Sequence, residues 1–239
     1  MPRYKSRHFL CTDTFSRDLR TELPFSIRSF PFIITFVPFA RRKRPFVILV
    51  LVTGLLFASL LLFAYNCPPS GIAFSSERRN LHRLKNRTTL PQTSDFDEGV
   101  TLSSLLQPGN DSARWSATRA GRIEGYVVSV AAAHTELANC YCGRDTHIHI
   151  ASRPDAPPHE HVVVETTPRV EAWARSRGWD WSAETLNREL SGRLVRFEGW
   201  LLFDSGHAME SESIAPGRQG NWRATAWEIH PVTRLEVIK

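Results

Sequence analysis

Charge is absent from one stretch of this chain. Phe46 to Tyr65, FVILVLVTGLLFASLLLFAY, runs twenty residues without an Asp, Glu, Lys or Arg. A soluble amphipathic helix carries a polar stripe, and this stretch has none, which argues against a core helix. At about 1.5 Å rise per residue, a helix of this length just crosses a hydrocarbon layer of about 30 Å. Thr53, Ser59 and Tyr65 fit such a helix, because a hydroxyl bonds back to the backbone or sits at the interface. The expectation is one transmembrane helix over residues 45–65.

Acidic residues are scarce before that stretch. Residues 1–44 hold ten Lys/Arg and three Asp/Glu, a local charge of +7 in a chain whose total is +6. The remainder is therefore close to neutral, at −1, which excludes a basic nucleic-acid binder by composition. The positive charge ends in Arg41-Arg42-Lys43-Arg44, directly against the span. Lys and Arg in that position are retained in the cytoplasm. The N-terminus is thus expected inside, beside anionic lipid, with everything after residue 66 outside the cytoplasm. A cleaved signal peptide would need an n-region of about 44 residues and a small-x-small site that is missing. An uncleaved signal-anchor is the better reading.

Cysteine is also scarce, with Cys11, Cys67, Cys140 and Cys142 in 239 residues. The Cys-x-Cys spacing of the last pair is too short for a strong zinc signature. On the oxidising side of a membrane it could close a disulfide, bind a metal or stay reduced. No internal repeat is visible. Residues 1–44 are broken by Pro24, Pro31 and Pro38, and a basic disordered tail is expected there. Residues 66–114 are rich in Ser, Thr, Pro, Asn and Arg and lack apolar periodicity, which reads as a flexible linker. Asn86-Arg87-Thr88 and Asn110-Asp111-Ser112 in that stretch fit the glycosylation sequon.

From Trp115 to Lys239 the pattern turns to strands. Five runs are expected: Gly121–Val130, Thr146–Ile150, His161–Thr166, Arg193–Asp204 and Ala224–Val237, the last interrupted by Pro231. Between the third and fourth lies a helical stretch, with Gly178 and Gly192 as stops and Ser182 as the N-cap of Ala183 to Leu190. Five strands with a helix in that place give the order of the OB-fold, a partly open five-stranded barrel. Gly125 and Gly199 inside strands suit the bends of a small barrel.

Alternation sorts the side chains. Ile148, Ile150, Val162, Val164, Trp227 and Ile229 are expected inside. Asp145, His147, Glu165, Glu228 and His230 are expected on the outer, wet face, with Asp204 and His207 at the mouth of the connection after the fourth strand. Two-residue spacing puts Asp145 with His147, and Glu228 with His230, on one side of their strands. Imidazoles and carboxylates grouped this way suit a divalent metal, with His147, His230, Asp204 and His207 as ligands and Asp145, Glu165 and Glu228 as catalytic carboxylates. An ordinary solvated strand face gives the same pattern. Trp173, Trp179 and Trp181 are expected to pack around the helix.

The segments Gly125-Tyr126-Val127-Val128, Asp145-Thr146-His147, Val163-Val164-Glu165, Phe203-Asp204 with His207, and Glu228-Ile229-His230-Pro231-Val232 resemble a family of uncharacterised bacterial OB-like proteins. That family carries D-x-H, then E, then F-D-x-x-H, then E-(I/L)-H-P-V, over about Gly121 to Val237 here. The resemblance implies the fold and carries no activity with it. Arg144-Asp145-Thr146 is more loosely similar to thermonuclease-type OB nucleases, but Val162-Val163-Val164-Glu165 stands where those enzymes have an arginine-and-acid pattern. Two functions remain in view. One is a membrane-anchored extracytoplasmic binding module for an envelope polymer, an oligosaccharide, a nucleic acid or another protein. The other is a metal-dependent hydrolase of phosphodiesterase or nuclease type.

Overall fold

A computed structural model describes residues 48–56 and 67–238. Two compact units divide the chain, one from residue 10 to Cys67 and one containing Pro68 onward. In the first, residues 48–56 are helical with every side chain exposed. Thr53 Oγ1 donates to Leu49 O at 2.9 Å and Val50 O at 3.1 Å, which satisfies the one polar side chain within the helix itself. The rest of the expected span and the basic tail lie outside the described residues. Among the described residues, no helix is long and apolar enough to cross a membrane.

The second unit is mainly β. Strands β1 (Ala120–Ala132), β2 (Thr146–Ala151), β3 (Val162–Thr166), β4 (Leu194–Phe203) and β5 (Trp227–Val237) close into a barrel in the order β1-β2-β3-β5-β4. All pairs are antiparallel except β3 with β5. Alternate residues fill the interior, including Ile123, Val127, Ile148, Val164, Phe197 and Ile229. Trp227 is buried among them. Its ring meets Trp115 and Phe203 edge-on, with centroids 5.8 and 5.4 Å away.

Pro231 does not end β5, contrary to the expected interruption. The His230–Pro231 peptide is cis, and the pairing with β4 shifts register beside it, between Glu198 and Leu201. Gly199 sits at that shift. A Cβ there would meet Pro231 O at 2.3 Å, so only glycine lets the two backbones approach.

Among the described residues four α-helices accompany the barrel: α1 (Ser76–Lys85), α2 (Leu102–Leu105), α3 (Pro168–Arg175) and α4 (Ala183–Leu190). The insertion between β3 and β4 is thus two helices, where one was expected. Ser182 caps α4 by accepting from Thr185 N, and Gly192 follows it at φ 77°. Val170, Trp173, Leu186 and Leu190 carry the helices onto the apolar core.

Residues 68–114 are not a loose linker. Val100 and Leu105 are buried in the core cluster. Asp111 is fully buried, accepting from Thr225 Oγ1 at 2.5 Å through its carboxylate and from Trp227 Nε1 at 2.8 Å through its carbonyl. Arg87 donates to Ala117 O and Leu201 O. The segment is tied down by specific polar contacts, which leave no apolar periodicity to read. Asn86, in the first sequon, is 3% exposed; its Nδ2 donates to Ala138 O and its Oδ1 accepts from Arg169 Nε. A folded chain cannot offer that side chain for glycosylation.

Candidate functional site

All seven residues singled out by spacing fall in one connected network, with its centre buried and His147 and His207 partly exposed at its edge. Asp145, Glu165, Glu228 and His230 are 3% exposed or less. They do point away from the barrel interior, as alternation requires. Two pieces of chain then cover them. One is the connection 204–226, which folds back so that Ala224 N donates to His161 O. The other is α1 with the loop 133–145, joined by Lys85 to Glu136 at 3.0 Å.

His230 stands at the centre. Its Nδ1 donates to Glu228 Oε2 at 3.2 Å and lies 3.1 Å from Glu165 Oε2. Its Nε2 faces Asp145 Oδ2 at 3.7 Å. Each neighbouring carboxylate is held by a further group: Asn139 Nδ2 donates to Asp145 Oδ1 at 2.9 Å, and His147 Nε2 meets Glu165 Oε1 at 3.1 Å. Arg223, wholly buried, bonds Glu228 Oε1 with one nitrogen and Asp204 Oδ2 at 3.1 Å with another. Asp204 Oδ2 also accepts from His207 Nδ1 at 2.6 Å, and His207 is half exposed at the rim. A groove of about 530 Å³, bordered by α1, Glu136, Asp204 and His207, opens beside this rim.

Donor atoms of Asp145, Glu165 and His230 lie within 4.8 Å of one another. Of the four ligands expected from spacing, only His230 belongs to this group. Asp204 and His207 pair with each other and reach the centre only through Arg223 and Glu228. His147 touches the group through Glu165. Asp145 and Glu165, expected as catalytic carboxylates, fall in this group with His230.

Crowded like charges set the protonation. Burial pushes the Asp145 carboxyl up to about 8, with Glu165 and Glu136 adding to it and His230 opposing. Burial raises the Glu165 carboxyl too, but His230 and His147 outweigh it and hold it well below the usual carboxylate range. Burial disfavours the His230 imidazolium, yet Glu165 and Glu228 push it up to about 10. Asp204 is held well below the ordinary value, because the His207 hydrogen bond and Arg223 overcome its desolvation. At neutral pH His230 therefore carries a proton that neutralises Glu165, and Asp145 keeps its own.

Spacing did not find Arg223, Asn139, Lys85 or Trp222. Arg223 Cζ lies 4.6 Å from the Trp222 ring, which itself meets His149 and His207. Arg223, Trp222 and Asn139 sit in connections between strands and Lys85 in α1, outside the strands whose alternation placed the other residues, so no strand periodicity marks them. The described cysteines, Cys67, Cys140 and Cys142, are each disulfide-bonded, which removes their sulfurs as metal ligands.

A second feature lies elsewhere on the barrel. A groove of about 1360 Å³ is bordered by α3, α4 and the end of β5. Trp173 and Trp181 form its buried floor, and Trp179, half exposed, stacks on Trp181 at 14° with centroids 6.2 Å apart. Arg177 lies over Trp173 at 4.8 Å. Of the three tryptophans expected to pack around the helix, Trp179 alone turns outward.

No protein-family model, curated protein or solved structure matches the chain.

Proposed function

We propose that this chain is a single-pass membrane protein, N-terminus cytoplasmic, that displays an OB-like barrel outside the cytoplasm as a binding module for an oligosaccharide-type envelope polymer. The barrel order, with helices inserted between β3 and β4, supports the OB-like reading. Arg41 to Arg44 beside a charge-free stretch supports the orientation. So do the disulfide-bonded Cys67, Cys140 and Cys142, since disulfides persist in oxidising compartments. The exposed apolar helix at 48–56 suits a lipid-facing segment.

The observation that carries the binding reading is the contrast between the two features of the barrel. The tryptophan groove is open, whereas the acidic cluster is sealed. A hydrolytic metal needs a coordination position that substrate can reach. Asp145, Glu165 and His230 offer none, which makes the hydrolase the weaker reading. In the groove, the face of Trp179 carries the negative side of an aromatic quadrupole, suited to the C–H face of a sugar ring. Arg177, Arg188, Arg193 and Arg234 line it together with Asp180, Glu189 and Glu198. Mixed charge suits hydroxyl groups and disfavours a polyanion such as nucleic acid.

Calorimetry of the full chain in detergent micelles, titrated with a β-1,4-linked N-acetylglucosamine tetramer, tests this. Binding that is lost in Trp179→Ala, in a protein that melts normally, is the expected result. Tighter binding of a single-stranded oligonucleotide, or no saccharide binding, overturns it. A reporter fused after Lys239 should be active only when exported; cytoplasmic activity would sink the topology.

A further inference from the structure

We propose that Asp145, Glu165 and His230 form a buried site for one divalent transition-metal ion of the zinc type, three protein ligands with a trapped water completing the tetrahedron. The inference is independent of which ligand the outer groove takes. Three observations converge on it.

The first is the pattern of satisfied and unsatisfied atoms. Glu165 and His230 each have one polar atom occupied and another without a hydrogen-bond partner, and Asp145 stands beside them. Asp145 Oδ1 is taken by Asn139, Glu165 Oε1 by His147, and His230 Nδ1 by Glu228. Glu165 Oε2 and His230 Nε2 are buried without a hydrogen-bond partner, although Glu165 Oε2 lies 3.1 Å from His230 Nδ1 as an ion pair, and Asp145 Oδ2 faces Nε2 at 3.7 Å. Buried polar atoms without partners are rare, because each carries a desolvation penalty. Two of them a few ångströms apart, beside a third donor, mark a place for a cation.

The second is distance. Ligands held at about 2.0–2.2 Å around a tetrahedral ion stand about 3.3–3.6 Å apart. The Asp145–His230 separation of 3.7 Å lies just above that range, and the whole group fits within 4.8 Å. Small side-chain rotations close the remainder.

The third is the shell behind the ligands. His230 backed by Glu228, with Glu228 held in turn by Arg223, is the carboxylate–histidine arrangement that orients a metal-ligating imidazole. An imidazole with two carboxylates favours zinc, manganese or iron over calcium and magnesium, whose sites are built from oxygen alone. Ligands from β3, β5 and the lead into β2 would be joined by the ion, fastening the covering loop 133–145 to the barrel.

The test is calorimetry of the full chain in detergent, freed of metal by chelator, titrated with Zn2+ and separately with Ca2+ and Mg2+. Co2+ serves as a spectroscopic probe. One equivalent of Zn2+ per chain, a tetrahedral Co2+ spectrum and a raised melting temperature are expected. Asp145→Asn and Glu165→Gln should each weaken Zn2+ by about 100-fold or more. His159→Ala, an exposed histidine outside the network, should leave affinity unchanged. Should either carboxamide variant fail to fold, the parent alone decides the matter. No stoichiometric Zn2+ binding overturns the proposal, as does tighter binding of Ca2+ or Mg2+. Binding that survives Asp145→Asn, or that is lost in His149→Ala, places the ion elsewhere and also overturns it.

Discussion

Replacing Arg223 by methionine removes the one buried guanidinium that joins the two halves of the polar network. Methionine keeps most of the volume and packs against Trp222, so the cavity contribution is small. What remains are two carboxylates that had shared a cation. Glu228, at 1% exposure, keeps only His230 as a partner. Asp204 keeps His207 and the Gly206 amide. Breaking a buried pair by removing one partner costs about 3–5 kcal/mol. The retained contacts of Asp204 put the expected loss at the lower end, about 3 kcal/mol. For a unit of this size that is a fall of about 6–12 °C in melting temperature. The assay is denaturant unfolding in chelator-treated buffer, so that no bound cation compensates. The double variant Arg223→Met/Glu228→Gln, which leaves one fewer charge stranded, should cost at least 1 kcal/mol less than the sum of the single changes. A single-variant loss below about 0.5 kcal/mol, or strict additivity in the double, would refute the view that Arg223 neutralises a sealed acidic cluster.

Trp227→Ala should destabilise by about 3–5 kcal/mol, read by the same unfolding assay, because its ring fills the barrel against Trp115 and Phe203. Asp111→Ala strands Thr225 Oγ1 and should cost about 1–3 kcal/mol; accordingly a fragment starting at Trp115 should be much less stable than one starting at Pro68, and equal melting of the two fragments would show that residues 68–114 contribute nothing. His149 is pushed down to about 4 by burial and by the neighbouring His161, so the unfolded chain, titrating near 6.5, takes up its proton first. Stability should therefore be full above about pH 6.5 and fall as pH drops toward 4, by about 1–3 kcal/mol more in the parent than in His149→Asn; parallel profiles would count against it.

The strands, their inward faces and the helix caps were legible in the sequence because they depend on neighbours a few residues away. Ser182 capping α4, and Ile148, Val164 and Ile229 turning inward, follow from two- and four-residue spacing alone. Spacing likewise placed Asp145, His147, Glu165, Glu228 and His230 on the outer side. It could not show what lies over that side. A polar residue facing outward from a strand looks the same in sequence whether water or another piece of chain covers it. Here the 204–226 connection and α1 do so, turning a wet face into a buried network centred on His230 and Arg223. Residues 68–114 were misread for the same reason. They fold through single contacts such as Asp111 with Thr225 and Trp227, across more than a hundred residues, and such contacts leave no period to detect. Local chemistry fixed which way each side chain points; only the closing of distant segments over the barrel decided which of them meet.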